Sequence, residues 1–183
     1  MKFKVLIQPI ESIDKQLLNW IREEIPKLVP VELEIRLSLW PLHIDYSRIF
    51  DWKRMQFKAV EVNRLLYKVY EDYLSDSRSY IVSVVLGDGY VEGLNFIFGL
   101  AMPELRVASV YTKRLETSDR GKFKLRVLKE VIHELGHLMG LGHCINPKCV
   151  MSFSNSIAEV DYKNVQFCRE CEVKLKEYQH IAY

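Results

Sequence analysis

The sequence predicts an α/β domain built on a mixed, mostly parallel twisted sheet, and three observations carry that reading. Apolar runs and amphipathic helical segments follow one another in the order β-α-β-α-β-β-β-α. Residues 80–86, Tyr-Ile-Val-Ser-Val-Val-Leu, are apolar on both faces, as a central strand covered on both sides must be. The chain has 183 residues, 49% of them hydrophobic, which suffices for one core without disulfides.

The elements follow in order. Residues 3–8 read as a buried strand, because the apolar run stops at Gln8-Pro9, too short for a signal peptide. Residues 12–25 carry Ile13, Leu17, Trp20, Ile21 and Ile25 at helical spacing, with Ser12 as N-cap and Pro26 as the stop. Residues 31–39 alternate apolar and polar, predicting a strand with one wet face. Residues 40–55 read as an irregular aromatic loop and residues 56–74 as a second amphipathic helix. After the strand at 80–86, Gly87-Asp88-Gly89 forms a turn. Strands at 94–98 and 106–111 are joined through Gly99 to Pro103. The third main helix runs from Ser118 or Asp119 to about Gly140, and a last helix lies near 166–179.

Charge and hydropathy exclude several functions. Twenty-six basic against 24 acidic residues leave a net charge of +2, too balanced for nucleic acid or an anionic membrane as partner. No apolar stretch reaches the ~18 residues of a membrane span. A cytoplasmic location is expected, and in a reducing compartment the four cysteines read as metal ligands before disulfides.

Residues 133–143 read His-Glu-Leu-Gly-His-Leu-Met-Gly-Leu-Gly-His, an H-E-x-x-H motif extended to H-E-x-x-H-x-x-G-x-x-H. His133 and His137, four apart on a helix, share one face and can reach one metal. Glu134 points about 100° away, beside the metal instead of on it. Gly140 can take positive φ and end the helix, so that the chain turns back and brings His143 to the same ion. Three imidazoles leave a tetrahedral Zn²⁺ open to water, whose proton Glu134 can accept as general base. His43 and His180 read as ordinary packed or solvated residues.

Cys144, Cys149, Cys168 and Cys171 form C-x4-C-x18-C-x2-C, two short chelating loops across a longer connection, as in closed structural zinc sites. Neighbouring residues in a chain reversal project differently, so His143 and Cys144 are assigned to two ions. The stretch after Gly142 is poor in apolar residues, and structural zinc would supply folding energy on the order of 10 kcal/mol. Two disulfides or a free-thiol set remain the alternatives.

The extended histidine motif followed by Cys144, by Cys149-Val150-Met151 and by the distant C-x2-C resembles the archaemetzincins, zinc peptidases of the metzincin clan. The specific motifs cover residues 133–171; the element order of residues 1–132 is compatible. The resemblance implies a metzincin-type fold, a catalytic zinc on His133, His137 and His143, and Glu134 as general base. It also implies a structural zinc on the four cysteines, and Met151 as the Met-turn methionine beneath the histidines. Phe153 stands where some clan members carry a Tyr that binds metal or the oxyanion; Tyr162 is the candidate replacement.

The expected activity is hydrolysis of peptide bonds in a peptide or protein substrate by a monomer holding two Zn²⁺. The alternative is a non-catalytic, zinc-stabilised peptide-binding module with a vestigial histidine site. Residues 95–99 are the expected edge strand on which an extended peptide adds. Lys122, Lys124, Arg126 and Lys129 read as a solvated helix face. An aminopeptidase would need an acidic group near the cleft, for which Asp88, Glu92 and Glu104 are candidates. The division is 1–142, carrying the active-site helix, and 143–183, a C-terminal subdomain with the structural zinc.

Overall fold

Alternation within the strands decides how the layers stack. The computed structural model describes residues 2–38, 40–42 and 45–181. Five strands form the main sheet: β1 (Phe3–Ile10), β2 (Leu33–Leu37), β5 (Ser79–Val85), β7 (Gly99–Met102) and β8 (Val107–Tyr111). Their order is β2-β1-β5-β8-β7, parallel throughout except for β7, which runs antiparallel to β8 at one edge. A second sheet joins β3 (Phe50–Asp51), β4 (Gln56–Lys58) and β6 (Gly89–Tyr90).

Side chains two apart on a strand share a face. Phe3, Val5 and Ile7 of β1, Tyr80, Val82 and Val84 of β5, and Ala108 and Val110 of β8 all point to one side. There they meet α1 (Lys15–Leu28) and α5 (Arg120–Leu138). Ile10, Ile81, Val85, Val107 and Tyr111 point to the other side, onto α3 (Ala59–Val69). β5, central and buried at every position, is the doubly covered strand that its composition predicts.

Several expectations need correction. α1 is capped by Asp14, which accepts from Gln16 N, not by Ser12, and Pro26 lies inside its last turn. A proline there removes one donor only, and the helix continues for two residues before Val29 closes it. The 40–55 stretch is partly regular: α2 (Tyr46–Ile49), capped by Asp45, leads into the β3–β4 hairpin. Residues 56–58 therefore belong to a strand, and the predicted helix splits into α3 and α4 (Glu71–Leu74). The expected strand at 94–98 is a loop tied by Ile97 N to Gly89 O, and the edge strand is β7, the segment read as a connection. Beyond α5, α6 (Ile157–Tyr162) has a complete Ser156/Glu159 capping box, and α7 (Arg169–Ile181) closes the chain.

The lysine-rich face of α5 is solvated only in part: Lys122 is exposed and Lys124 half-buried, whereas Arg126 and Lys129 are buried. Arg126 grips both Asp161 oxygens at 2.7 Å, Lys122 reaches the same carboxylate at 2.9 Å, and Lys129 donates to Val160 O at 2.9 Å. Residues 122, 126 and 129 lie on one helical stripe, and that stripe docks α6; Lys124 instead lies over the Trp20 ring. Val150, Met151, Val160, Phe167 and Leu175 from the C-terminal stretch join the same core as α1 and α5. No helix among the described residues is long and apolar enough to cross a membrane. His43 lies outside the described residues.

Candidate metal centre

The site is set by where α5 ends. After Leu138 the chain closes in a Schellman motif: Gly140 N donates to His137 O and Leu141 N to Gly136 O, both at 3.0 Å, with Gly140 at φ +82°. A side chain at that φ would be strained, which accounts for the glycine. The reversal brings His143 against the two helical histidines, and the ligand atoms of His133, His137 and His143 all lie within 4.8 Å of one another.

The ring orientations are fixed from behind. His133 Nδ1 lies 2.8 Å from Val150 O and His137 Nδ1 2.7 Å from Leu141 O. A carbonyl only accepts, so both rings carry their proton on Nδ1 and present a bare Nε2. Those two Nε2 atoms lie 3.1 Å apart. Two lone pairs at that distance, with no proton between them, could be bridged by a cation; two nitrogens on one tetrahedral zinc would be about 3.3 Å apart. Burial holds the His133 ring well below the usual histidine pKa and lowers His137 and His143 as well, so the imidazoles stay neutral, as metal ligands must.

The segment under the histidines is equally constrained. Val150 O holds His133, while Met151 O accepts from Cys144 N at 2.9 Å. Met151 is fully buried against Gly136, where an added Cβ would stand 2.4 Å from its Sδ. The methionine thus packs beneath the helix turn that carries the histidines.

Glu134 is buried beside the edge strand. A Cβ on Gly99 would come within 2.4 Å of Glu134 Oε1, so the carboxylate occupies space that only a glycine leaves open. Burial, then the charge of Glu130, push the Glu134 carboxyl well above the usual range; Lys163 and a hydrogen bond from the Ala101 backbone act in the opposite sense.

The four cysteines form a second cluster, all ligand atoms again within 4.8 Å. Cys144 and Cys168 sulfurs are 3.7 Å apart, as are those of Cys149 and Cys171. A disulfide would require about 2.05 Å, whereas two thiolates on a tetrahedral zinc at ~2.3 Å lie about 3.8 Å apart. The donor set fits zinc, and the disulfide alternative does not fit these distances. His143 and Cys144 belong to different clusters, as expected from the chain reversal.

The histidines open into a cavity of about 710 Å³ walled by Phe96, Phe98, Leu100, Leu141 and Phe153. Phe153 stacks edge-on against His143 at 4.8 Å. Tyr162 is not at this cavity: it is exposed and covered by Lys148 Nζ 3.6 Å above its ring. The acidic candidates fail too. Asp88 is taken by Arg114 and Gln56, both at 2.9 Å, and Glu92 and Glu104 are exposed outside the cavity. His180 is exposed on α7. Two cavity residues escaped the sequence reading, Glu130 and Lys163, whose charged ends lie 2.9 Å apart. Glu130 was discoverable as the residue one helical turn before Glu134; Lys163 stands in no motif.

The family model for Peptidase family M54 matches residues 17–177. The chain belongs to peptidase family M54. It is 52% identical over 142 residues to the archaemetzincin of Aeropyrum pernix, covering 75% of this chain and 77% of that protein. It is 37% identical to that of Pyrococcus furiosus, over 97% and 94%. Among solved structures, the archaemetzincin of Archaeoglobus fulgidus complexed with malonate superposes with TM-score 0.79 at 33% identity, over 93% and 99%. A zinc-dependent peptidase from Methanocorpusculum labreanum gives TM-score 0.84 at 28% identity, again over 93% and 99%. As a member of this M54 family the chain is a zinc metallopeptidase, a hydrolase acting on peptides or proteins, and it carries a histidine and a cysteine group able to bind metal.

Proposed function

We propose that His133, His137 and His143 hold the catalytic zinc, that Glu134 is the general base, and that Cys144, Cys149, Cys168 and Cys171 hold a second, structural zinc. The observation that carries this is the bare Nε2 pair 3.1 Å apart, each ring locked by a backbone carbonyl behind it. Bound zinc supplies Lewis acidity to a substrate carbonyl and to water. Glu134 accepts the proton of the attacking water on its carboxylate and returns it to the departing amine nitrogen. Gly99 and Ala101 on the β7 edge lie beside Glu134 and offer backbone groups to an extended substrate. Phe153 cannot donate to an oxyanion, whereas the zinc that His133, His137 and His143 would hold would supply such stabilisation.

Met151 serves as the floor that holds the Gly136 turn. Residues 143–183 form a C-terminal subdomain, set apart from 1–142 by its dependence on the cysteine zinc. Native mass spectrometry tests the assignment: two zinc ions per chain, falling to one in His137→Ala with the fold retained. Two ions retained in that variant would overturn the histidine assignment.

A further inference from the structure

The floor of the cleft carries a polar group that the reaction does not use. Glu130 is 3% exposed and Lys163 2%, and both line the cavity. Lys163 Nζ lies 2.9 Å from Glu130 Oε1 but off the hydrogen-bonding direction, so that oxygen has no hydrogen-bond donor from the protein. Lys163 also donates to Ser152 O at 3.4 Å, which leaves two of its three N–H groups without a hydrogen-bonded acceptor. Ser154 Oγ, buried in the same cavity, has no partner either. A clamp between α5 and α6 does not explain this pair. Arg126–Asp161 and Lys129–Val160 already make that clamp with well-formed hydrogen bonds.

We propose that Glu130, Lys163 and Ser154 form a subsite that takes the uncharged carboxamide side chain of a substrate Gln or Asn flanking the scissile bond. This rests on the peptidase reading of the same cleft. The ion pair is neutral as a unit, so a charged side chain would bring an uncompensated charge to a buried floor. An apolar side chain would leave Glu130 Oε1 and Ser154 Oγ dry and without a hydrogen-bond partner. A carboxamide supplies two N–H donors for those oxygens and one acceptor for Lys163.

The test uses one peptide library in two ways. Zinc-loaded protein digests it for a cut-site profile, and the zinc-loaded Glu134→Ala variant is scored for binding to the same peptides. Gln and Asn are expected to exceed Leu and Glu by about tenfold or more at one position beside the cut. Ser154→Ala should lower that preference several-fold, and the double change Glu130→Met with Lys163→Met should turn it apolar. Should the double variant fail to fold, the unmodified protein and Ser154→Ala decide. Cleavage without carboxamide preference overturns the subsite and spares the peptidase. Carboxamide-selective binding without cleavage supports the subsite and overturns the hydrolytic reading; neither binding nor cleavage overturns both.

Discussion

The two metal-ligand clusters are adjacent in the chain and differ in almost every other respect. His133 and His137 sit on the last turns of a 19-residue helix already packed in the core, His143 on the reversal that follows it, and all three face a cavity. Cys144 and Cys149 sit on the loop after α5, Cys168 just before α7 and Cys171 in its first turn; two of the four are buried, and all face one another. The first cluster is a helical scaffold able to hold a metal; the second joins a loop to the start of α7, with Cys149 and Cys171 buried in the core beside it. An ion in the first would govern chemistry, and an ion in the second would govern folding.

Cys171→Ser should separate the two most sharply. It removes one of four ligands from a site worth on the order of 10 kcal/mol in small domains. Expected is a melting temperature far below that of the unmodified protein, with residues 143–183 open to proteolysis; unaltered melting would remove the folding role. Glu134→Ala is the converse. We expect kcat to fall about 10²- to 10⁴-fold while zinc content and melting stay put, and unchanged turnover would exclude Glu134 as base.

A subtler test keeps every ligand. Gly99→Ala drives a Cβ against Glu134, whose Oε1, Cδ and Cγ it would meet at 2.4 to 2.7 Å. Misplacement of the carboxylate should lower kcat by up to about 10²-fold with zinc binding intact, whereas a change confined to KM would mean that Gly99 serves only the strand edge. The smallest effect concerns pH. Hydrogen bonding from Arg126 depresses the Asp161 carboxyl far below its usual range. Its stabilising contribution is complete above the unfolded value near 3.9 and disappears as pH falls towards the folded one. Melting curves between about pH 5 and pH 2 should therefore drop more steeply for the native chain than for Asp161→Asn; parallel curves would rule out the Arg126–Asp161 link.

Metal chemistry is legible in sequence because it is local. One helical turn separates His133 from His137, and one reversal reaches His143, so spacing alone carries the geometry. The central strand is legible for a similar reason, since burial on both faces leaves an unbroken apolar run. What was not legible depends on segments distant in the chain. Glu130 and Lys163 are 33 residues apart, and nothing local marks either as a cavity residue. Gly99 looks like a linker until Glu134 is placed beside it. The edge strand was misplaced because pairing with β8, not alternation within 94–102, decides where it begins. The α5 basic stripe was misread because its partner, Asp161, lies on a short helix that only its capping box announces.

The backbone of Val150 and Met151 has one further consequence, for the timing of synthesis. Val150 O orients His133, and Met151 O holds Cys144 beside His143. A ribosome that has added His143 has supplied all three histidines and Glu134, yet neither carbonyl. A nascent chain of 143 to 149 residues thus has all three histidines and Glu134 without the two carbonyls that orient His133 and hold Cys144.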